Sequence, residues 1–400
     1  MQPVPIANPP NPWATTEIEY LEGAPEVKLE VFEDRTRQIL AKNNSPDVGF
    51  TFSVNPYRGC FHACAYCYAR PSHEYLSLGA GTDFDRKIMV KLRAAELLRT
   101  AFAKKSWRKE TVAFSGVTDC YQPLEASYRL TRGCLEVCVE YANPAAIITK
   151  SALIERDVDV LVQLARVASV FVTISVPFWD PERARAIEPY VPTPARRLRV
   201  IETLARAGLS VGVNVAPIIP GLNDQDIPKI LAAARDAGAT RAGCVLVRLP
   251  GSVKQVFEQR LRDALPLVAD RVLHRIRETR GGQLYDPRFG VRGRGEGVYA
   301  DAIEQLFDTT AARLGFDRRG IGLGMDAETR DAPRPVETSA DNRSDAAAGA
   351  RSDDVEDVQH DRQAAVSQQK LRAGAGAQLS LAIDLGGRHD GGAPAAKVRA

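Results

Sequence analysis

The stretch Asn55-Pro-Tyr-Arg-Gly-Cys60-Phe-His-Ala-Cys64-Ala-Tyr-Cys67-Tyr68 places three cysteines on one short loop, with the spacing C-x-x-x-C-x-x-C. Thiolates are the usual ligands of iron–sulfur clusters, and such clusters usually take four ligands. Three thiolates would hold three corners of an iron–sulfur cube and leave the fourth iron open to a substrate or cofactor. A structural zinc site and buried cysteines that bind nothing are the alternatives. Zinc sites usually combine two ligand pairs, however, and no second pair follows in the sequence.

The loop resembles the cluster loop of radical S-adenosylmethionine (radical SAM) enzymes, with the aromatic Tyr66 directly before the last cysteine. From Asn55 to about Phe316 the chain resembles the branch of that superfamily related to spore photoproduct lyase. The resemblance implies a [4Fe-4S] cluster bound by the three cysteines, with Tyr66 among the cofactor-binding residues.

The same resemblance implies the chemistry. The open iron would bind the amino and carboxylate groups of SAM. An electron from a one-electron reductant such as flavodoxin or ferredoxin would then cleave SAM to methionine and a 5′-deoxyadenosyl radical. That radical would abstract hydrogen from an unknown substrate, in a reaction of the lyase or oxidoreductase type. In such enzymes the cofactor supplies the difficult chemistry and the protein supplies ligation and orientation.

The composition is that of an ordinary globular protein. The chain has 400 residues, a net charge of +3 and 44% hydrophobic residues, and it lacks the run of ~18 apolar residues that a membrane span needs. No secretory signal is visible, and seven cysteines, an odd number, argue against a disulfide framework. These features predict a cytoplasmic protein. The near-neutral charge does not indicate a nucleic-acid partner, although one stays possible.

Strand and helix patterns alternate along the chain. Strands are predicted at 50–54, 111–114, 145–149, 170–176, 209–216 and 243–249, and helices at 86–104, 131–141, 155–168, 194–207 and 224–237. Six strand–helix units predict an α/β fold with a parallel sheet. The resemblance points to an incomplete (β/α)6 TIM-like barrel, whose active site lies at the carboxyl ends of the strands.

The predicted organisation has four parts. Residues 1–45 form an N-terminal arm, with a helix or extended segment near 34–42. Residues 46–252 form the partial barrel, and 253–324 form a C-terminal helical extension. Residues 325–400, rich in Ala, Gly, Asp, Arg, Ser and Gln, are predicted to be a disordered tail because they carry too little apolar surface to offset their ordering entropy.

Polar residues follow the second predicted strand, in the segment Ser115-Gly116-Val-Thr118-Asp119. The resemblance places the SAM amino group at this segment. The backbone at Ser115 and Gly116 and the side chains of Thr118 and Asp119 could accept hydrogen bonds from an ammonium group. The alternative is an Asx-type turn in which Asp119 caps the next helix.

Three further residues at strand ends are predicted to bind SAM. Lys150 directly follows an apolar strand and could pair with the SAM carboxylate. Photoproduct-lyase relatives carry a lysine that is similar in place. Ser175 and Asn214 end the fourth and fifth strands, where they could line the barrel near the ribose and adenosine. A solvated lysine and ordinary strand residues are the alternatives.

The cysteines outside the loop mark where the resemblance fails. Photoproduct lyases keep a hydrogen-donor cysteine two residues before the hydroxyl–Asp pair, and here Gly116 occupies that position, so DNA repair does not carry over. Cys120 follows Asp119 at the predicted barrel mouth and is the candidate catalytic hydrogen donor; a small turn residue is the alternative. Cys120, Cys134, Cys138 and Cys244 could form a second cluster, or could be small buried residues.

Three hypotheses for the function remain open. The leading one is a radical SAM enzyme of unknown substrate. The others are a non-catalytic iron–sulfur or zinc protein, and a nucleic-acid repair or modification enzyme.

Overall fold

The computed structural model describes residues 4–5 and 29–317, and the predicted disordered tail, 325–400, lies outside them. Its strands, in chain order, are β1 (Val4–Pro5), β2 (Glu30–Glu33), β3 (Leu40–Lys42), β4 (Phe52–Val54), β5 (Tyr57–Arg58), β6 (Lys87–Val90), β7 (Val112–Phe114), β8 (Ala145–Thr149), β9 (Val170–Ser175), β10 (Ser210–Ile218) and β11 (Arg241–Leu246).

The α-helices, in chain order, are α1 (Thr82–Arg86), α2 (Ala94–Phe102), α3 (Glu125–Tyr128), α4 (Leu130–Tyr141), α5 (Val158–Val167), α6 (Pro181–Ile187), α7 (Pro194–Arg206), α8 (Ile227–Asp236), α9 (Val253–Ala264), α10 (Pro266–Glu278) and α11 (Val298–Arg313). Short 3-10 helices cover Arg70–Leu76, Ala152–Asp157 and Asp224–Asp226. No helix in this part of the chain is long and apolar enough to cross a membrane.

The larger sheet has the strand order β11-β10-β9-β8-β7-β4-β3. Neighbouring strands from β4 to β11 run parallel, and β3 pairs antiparallel with β4 at one edge. The order follows the chain from β4 onward, with a helical segment between successive parallel strands. This architecture confirms the predicted incomplete barrel of six parallel strands.

The main hydrophobic core lies between this sheet and helices α2, α4, α5, α7, α8 and α11. Val211, Val213 and Val215 of β10 are fully buried in it. A second core joins α9 and α10 to Cys64, Ala65 and Tyr66 of the cysteine loop. The C-terminal helices therefore help to hold the loop that carries the three cysteines.

The helix predicted at 86–104 is wrong over its first part, because Lys87–Val90 forms β6. Ile88, Met89 and Val90 are consecutive buried residues. Such a run suits a strand whose two faces are both covered. β6 lies between β2 and β5 in a smaller sheet with the order β1-β2-β6-β5. The predicted arm contributes β2 to this sheet and β3 to the barrel sheet.

A strap, residues 288–295, bridges the two open edges of the barrel sheet. At one edge, the backbone N–H of Leu246 donates to the carbonyl oxygen of Gly293 (2.8 Å). At the other edge, Arg292 forms an ion pair with Asp47, which lies in the connection between β3 and β4. The strap thus spans the lateral gap that an incomplete barrel leaves.

Candidate functional site

The cysteine loop, residues 59–67, begins at a position that only glycine can occupy. Gly59 has a φ of +77°, and a Cβ there would lie 2.8 Å from the carbonyl oxygen of Phe84 and 2.9 Å from the His73 ring. Both contacts are far inside van der Waals distance. The N–H of Cys60 donates to the same Phe84 oxygen (3.0 Å). The first cysteine is therefore held by backbone contacts as well as by its neighbours in the chain.

Two side chains from the loop after β7 hold the start of the cysteine loop. The carbonyl oxygen of Gly59 accepts hydrogen bonds from the Thr118 hydroxyl (2.6 Å) and from the Gln122 amide (3.1 Å). The amide oxygen of Gln122 accepts from the N–H of Phe61 (2.9 Å). Gln122 is fully buried, so these bonds are shielded from water. Sequence reasoning missed Gln122, since nothing in its neighbourhood marks it as a partner of residues some 60 positions earlier.

Asn55 ties the end of β4 to the same loop. Its side-chain oxygen accepts from the N–H groups of Gly116 (2.8 Å) and Val117 (3.0 Å), and its amide donates to the Ser53 hydroxyl (3.3 Å). Asn55 is buried. The cysteine loop and the loop after β7 are therefore one hydrogen-bonded unit at the carboxyl ends of two neighbouring parallel strands.

The three loop sulfurs are free thiols; Cys60 and Cys64 are buried and Cys67 is half-buried. Burial raises the pKa of the Cys64 thiol well above its usual value and that of Cys67 to about 11. Such sulfurs become thiolates when a bound cation compensates their charge. This donor set fits an iron–sulfur cluster.

A mononuclear zinc site and an iron–sulfur cluster need different distances between their cysteine ligands. Within residues 29–317, no group of three His, Cys, Asp or Glu side chains is arranged around a single metal ion. A zinc ion needs its thiolates within about 2.3 Å of one centre. A cube takes one thiolate on each iron, so its ligands stand further apart. In a cluster, each of the three loop cysteines would therefore bind a different iron.

Asp119 joins the loop after β7 to the end of β8. One carboxylate oxygen accepts from the Tyr121 N–H (2.9 Å) and the Thr149 hydroxyl (2.6 Å), and the other accepts from the Lys150 N–H (2.9 Å). His62 of the cysteine loop lies 3.5 Å from the second oxygen. The bond to Tyr121, two residues on, is the Asx-type turn that the sequence left as an alternative.

The surroundings of Asp119 and His62 shift the pKa values of both side chains. Burial alone would raise the pKa of Asp119, but hydrogen bonds from His62 and Thr149 lower it to about 2. Burial alone would lower the pKa of His62, but the Cys60 sulfur and Asp119 raise it to about 9. The His62 ring and the Asp119 carboxylate therefore lie together beside the first cysteine.

The predicted SAM-binding groups after β7 are already bonded to protein atoms. The Ser115 hydroxyl accepts from the N–H of Cys120 (3.0 Å), and the carbonyl oxygen of Gly116 accepts from the Tyr68 hydroxyl (2.8 Å). The Thr118 hydroxyl and the Asp119 carboxylate are engaged as described above. Thr118 and Asp119 therefore hold the cysteine loop and β8 in place, and their direct contact with SAM stays a prediction.

Tyr66 and Lys150 meet at the mouth of the barrel. The Lys150 ammonium lies 5.6 Å from the centroid of the Tyr66 ring, within the range of a cation–π contact. The Tyr66 hydroxyl donates to the carboxylate of Glu188, which in turn forms an ion pair with Arg197. The structure therefore brings Lys150 beside the cysteine loop, as the sequence predicts.

Ser175 and Asn214 are neighbours across the sheet. They are paired in register between β9 and β10, and both are nearly fully buried. Ser175 is the last residue of β9, and Asn214 stands level with it within β10. The carbonyl oxygen of Ser175 accepts from Arg197, whose partner Glu188 accepts from Tyr66, so the end of β9 is linked to the cysteine loop.

Cys120 does not lie at the barrel mouth. Its side chain is fully buried in the main hydrophobic core, which also contains Cys134 and Cys138, and burial raises the pKa of its thiol well above the usual value. Asp119 and Cys120 are neighbours in the turn, but their side chains face opposite sides. That of Asp119 faces the site, and that of Cys120 faces the main hydrophobic core. The structure thus gives Cys120 a packing position, which differs from the predicted position of a hydrogen donor.

The proposed second cluster is also not assembled. Cys134 and Cys138 are buried in α4, near β7, whereas Cys244 lies on β11. Three strands, β8, β9 and β10, stand between β7 and β11. Strands lie about 4.8 Å apart, so Cys244 is much too far away to share a cluster with the cysteines of α4.

Comparison with known proteins agrees with this arrangement. A family model described as the radical SAM superfamily matches residues 54–234. An uncharacterised protein of Mycobacterium tuberculosis strain H37Rv is 39% identical over 230 residues, which are 57% of this chain and 68% of that protein. An uncharacterised protein of Methanocaldococcus jannaschii is 28% identical over 197 residues, which are 49% of this chain and 71% of that protein.

Among solved structures, a spore photoproduct lyase variant with a dinucleoside spore photoproduct has a similar fold. The TM-score is 0.50 at 15% sequence identity, and the match covers 72% of this chain and 80% of that chain. At this identity the match shows that the fold is shared.

Gln122 provides a test of how the cysteine loop is held. We expect Gln122→Ala to leave the buried Phe61 N–H without this partner, at about 1–3 kcal/mol, while the Gly59 carbonyl oxygen keeps its bond from Thr118. The variant should fold, but its loop should take up and retain less iron on anaerobic reconstitution, measured as iron per chain before and after exposure to a chelator. Gln163→Ala, which removes an exposed glutamine from α5, is the matched control. Equal iron retention in Gln122→Ala and wild type would contradict this role.

Proposed function

The chain belongs to the radical SAM superfamily, and from that membership we propose that it is an enzyme that uses a [4Fe-4S] cluster to cleave SAM reductively. One observation carries the proposal: the loop with three cysteines is fixed at the carboxyl ends of the parallel strands, beside Lys150 and linked to Ser175 at the end of β9. Active sites of parallel α/β barrels lie at this end. A cysteine loop with only a structural role would not need to lie at the active-site end of the barrel.

Cys60, Cys64 and Cys67 would hold the cluster through three of its irons. When bound and reduced, the cluster supplies the electron that cleaves SAM to methionine and a 5′-deoxyadenosyl radical, which abstracts hydrogen from the substrate. The protein keeps water from much of the loop: Gly59, Cys60 and Gln122 are buried, and the second hydrophobic core contains Cys64, Ala65 and Tyr66. A one-electron reductant, such as flavodoxin or ferredoxin, and an unidentified substrate complete the proposed reaction.

The residues around the loop have distinct proposed roles toward SAM. Lys150 would pair with the carboxylate, and backbone carbonyl oxygens at Ser115 and Gly116 would accept from the amino group. Tyr66, Ser175 and Asn214 would line the space for the nucleoside. These assignments rest on their common location at one end of the barrel.

The cluster proposal is tested by reconstituting the chain with iron and sulfide without oxygen. We expect about four irons per chain and production of 5′-deoxyadenosine from SAM after reduction with dithionite. Cys64→Ala should lose both properties because it removes one of three ligands. Cys244→Ala, which removes a half-buried cysteine from β11, should keep both. Iron binding without any 5′-deoxyadenosine in the wild type would instead support the non-catalytic iron–sulfur protein.

A second test concerns Lys150. Lys150→Ala should weaken SAM binding about ten- to hundredfold, which corresponds to the loss of a charged hydrogen bond worth about 1.5–3 kcal/mol. The iron content should not change, since lysine is not an iron ligand. Equilibrium binding of SAM to the reconstituted protein measures the effect, with Lys229→Ala, an exposed lysine of α8, as the control. Unchanged affinity would reject the assignment, and loss of iron would show that the side chain supports the loop instead.

A further inference from the structure

Three buried side chains form a chain of contacts that leads away from the cysteine loop. Tyr66 stands between the second and third cysteines, and its hydroxyl donates to one carboxylate oxygen of Glu188. The other oxygen of Glu188 forms an ion pair with Arg197. The exposed fractions of Tyr66, Glu188 and Arg197 are only 7%, 1% and 1%. All three groups are therefore shielded from solvent.

Arg197 is fixed in turn by the backbone of the barrel. Its Nε donates to the carbonyl oxygen of Pro192 (2.7 Å), and one terminal nitrogen donates to the carbonyl oxygen of Ser175 (3.1 Å). Ser175 is the last residue of β9. The three side chains thus connect the cysteine loop directly to the strand end that bears a proposed SAM contact.

Two capped helices determine where the ion pair lies. Glu188 directly follows α6, whose first turn is capped by the side chain of Asp180. Arg197 lies in the first turn of α7, which is capped by the side chain of Thr193. Side-chain caps fix where a helix begins, so both partners of the pair stand on rigid elements.

A buried ion pair contributes little net stability, because the cost of removing both charges from water offsets their attraction. An apolar pair of similar volume would serve folding as well. What the ion pair provides here is a rigid link to Tyr66 and a balanced charge close to the cysteines. The backbone N–H of Ala65, next to Cys64, donates to the carbonyl oxygen of Ile187 (3.0 Å), so Glu188 directly follows a residue that is bonded to the cysteine loop.

We propose that Glu188 and Arg197 are positioning residues for the cluster, which anchor Tyr66 to the end of β9 and, as a pair, add no net charge beside the cluster. The inference rests on the proposed function, because it presumes a cluster on Cys60, Cys64 and Cys67. Arginine stays protonated in proteins. Removing the charge of Glu188 alone therefore leaves a positive charge near the cluster, which favours the reduced state.

The experiment measures the reduction potential of the reconstituted cluster. Glu188→Gln keeps the shape and an acceptor for the Tyr66 hydroxyl, and it should raise the potential. Glu188→Gln combined with Arg197→Met removes both charges and should bring the potential back toward the wild-type value. Glu182→Gln, an exposed position on α6, should leave the potential unchanged. An unchanged potential in Glu188→Gln, or a double variant displaced as far as the single one, would overturn the charge-balance role.

Tyr66→Phe tests the anchor without touching a buried charge. It should leave the iron content and the fold unchanged but weaken SAM binding about tenfold, and it should speed amide hydrogen exchange in residues 60–67. Unaltered exchange and affinity would overturn the anchoring role. If the wild-type chain binds no cluster, the proposed function fails; if it binds one and these variants show none of the shifts, only this inference fails.

Discussion

The carbonyl oxygen of Gly59 is the point on which the site depends. It accepts two side-chain hydrogen bonds from the loop after β7. Because the residue is glycine, it adopts a positive φ and has no Cβ that would clash with the carbonyl oxygen of Phe84. Thr118 and Gln122 lie in the loop that follows β7, a neighbouring parallel strand. Their bonds to Gly59 therefore fix the position of the cysteines relative to the barrel. A loop of this kind keeps three thiols in place before any iron arrives, which reduces the ordering cost of binding.

Charges around the loop are arranged in compensated pairs. His62 faces Asp119, Arg197 faces Glu188, and Arg70 faces Asp85 at 2.9 Å while its Nε also donates to the carbonyl oxygen of Cys64 (3.0 Å). An unpaired buried charge costs several kcal/mol of folding free energy. In each pair, the opposite charge of the partner offsets part of that cost. The same pairing keeps fixed charges near the cysteines from adding up to a large local potential.

Local patterns in the sequence predicted the barrel well and the contacts between its loops poorly. The strand at 145–149 was predictable because a continuous apolar run between turns suits a buried parallel strand, and the cysteine spacing pointed to a cluster. The apolar residues of the segment 87–90 also fit a helical period, which predicts a helix; its pairing with β2 and β5 makes it a strand. Gln122, Glu188 and Arg197 could not be found from local patterns, since each acts through partners that only the fold brings near. The predicted position of Cys120 at the barrel mouth followed from its neighbour Asp119. Asp119 faces the site, but the side chain of Cys120 faces the hydrophobic core.

The most direct test of the account is whether SAM binds the iron that the three cysteines leave without a protein ligand. Electron–nuclear double resonance of the reduced, reconstituted chain, with SAM carrying nitrogen-15 in its amino group and carbon-13 in its carboxylate, reports on this contact. The account predicts hyperfine coupling of the cluster spin to both labels, and loss of the cluster signal in Cys64→Ala. A reduced cluster that shows no coupling to either label would contradict radical SAM chemistry at this site.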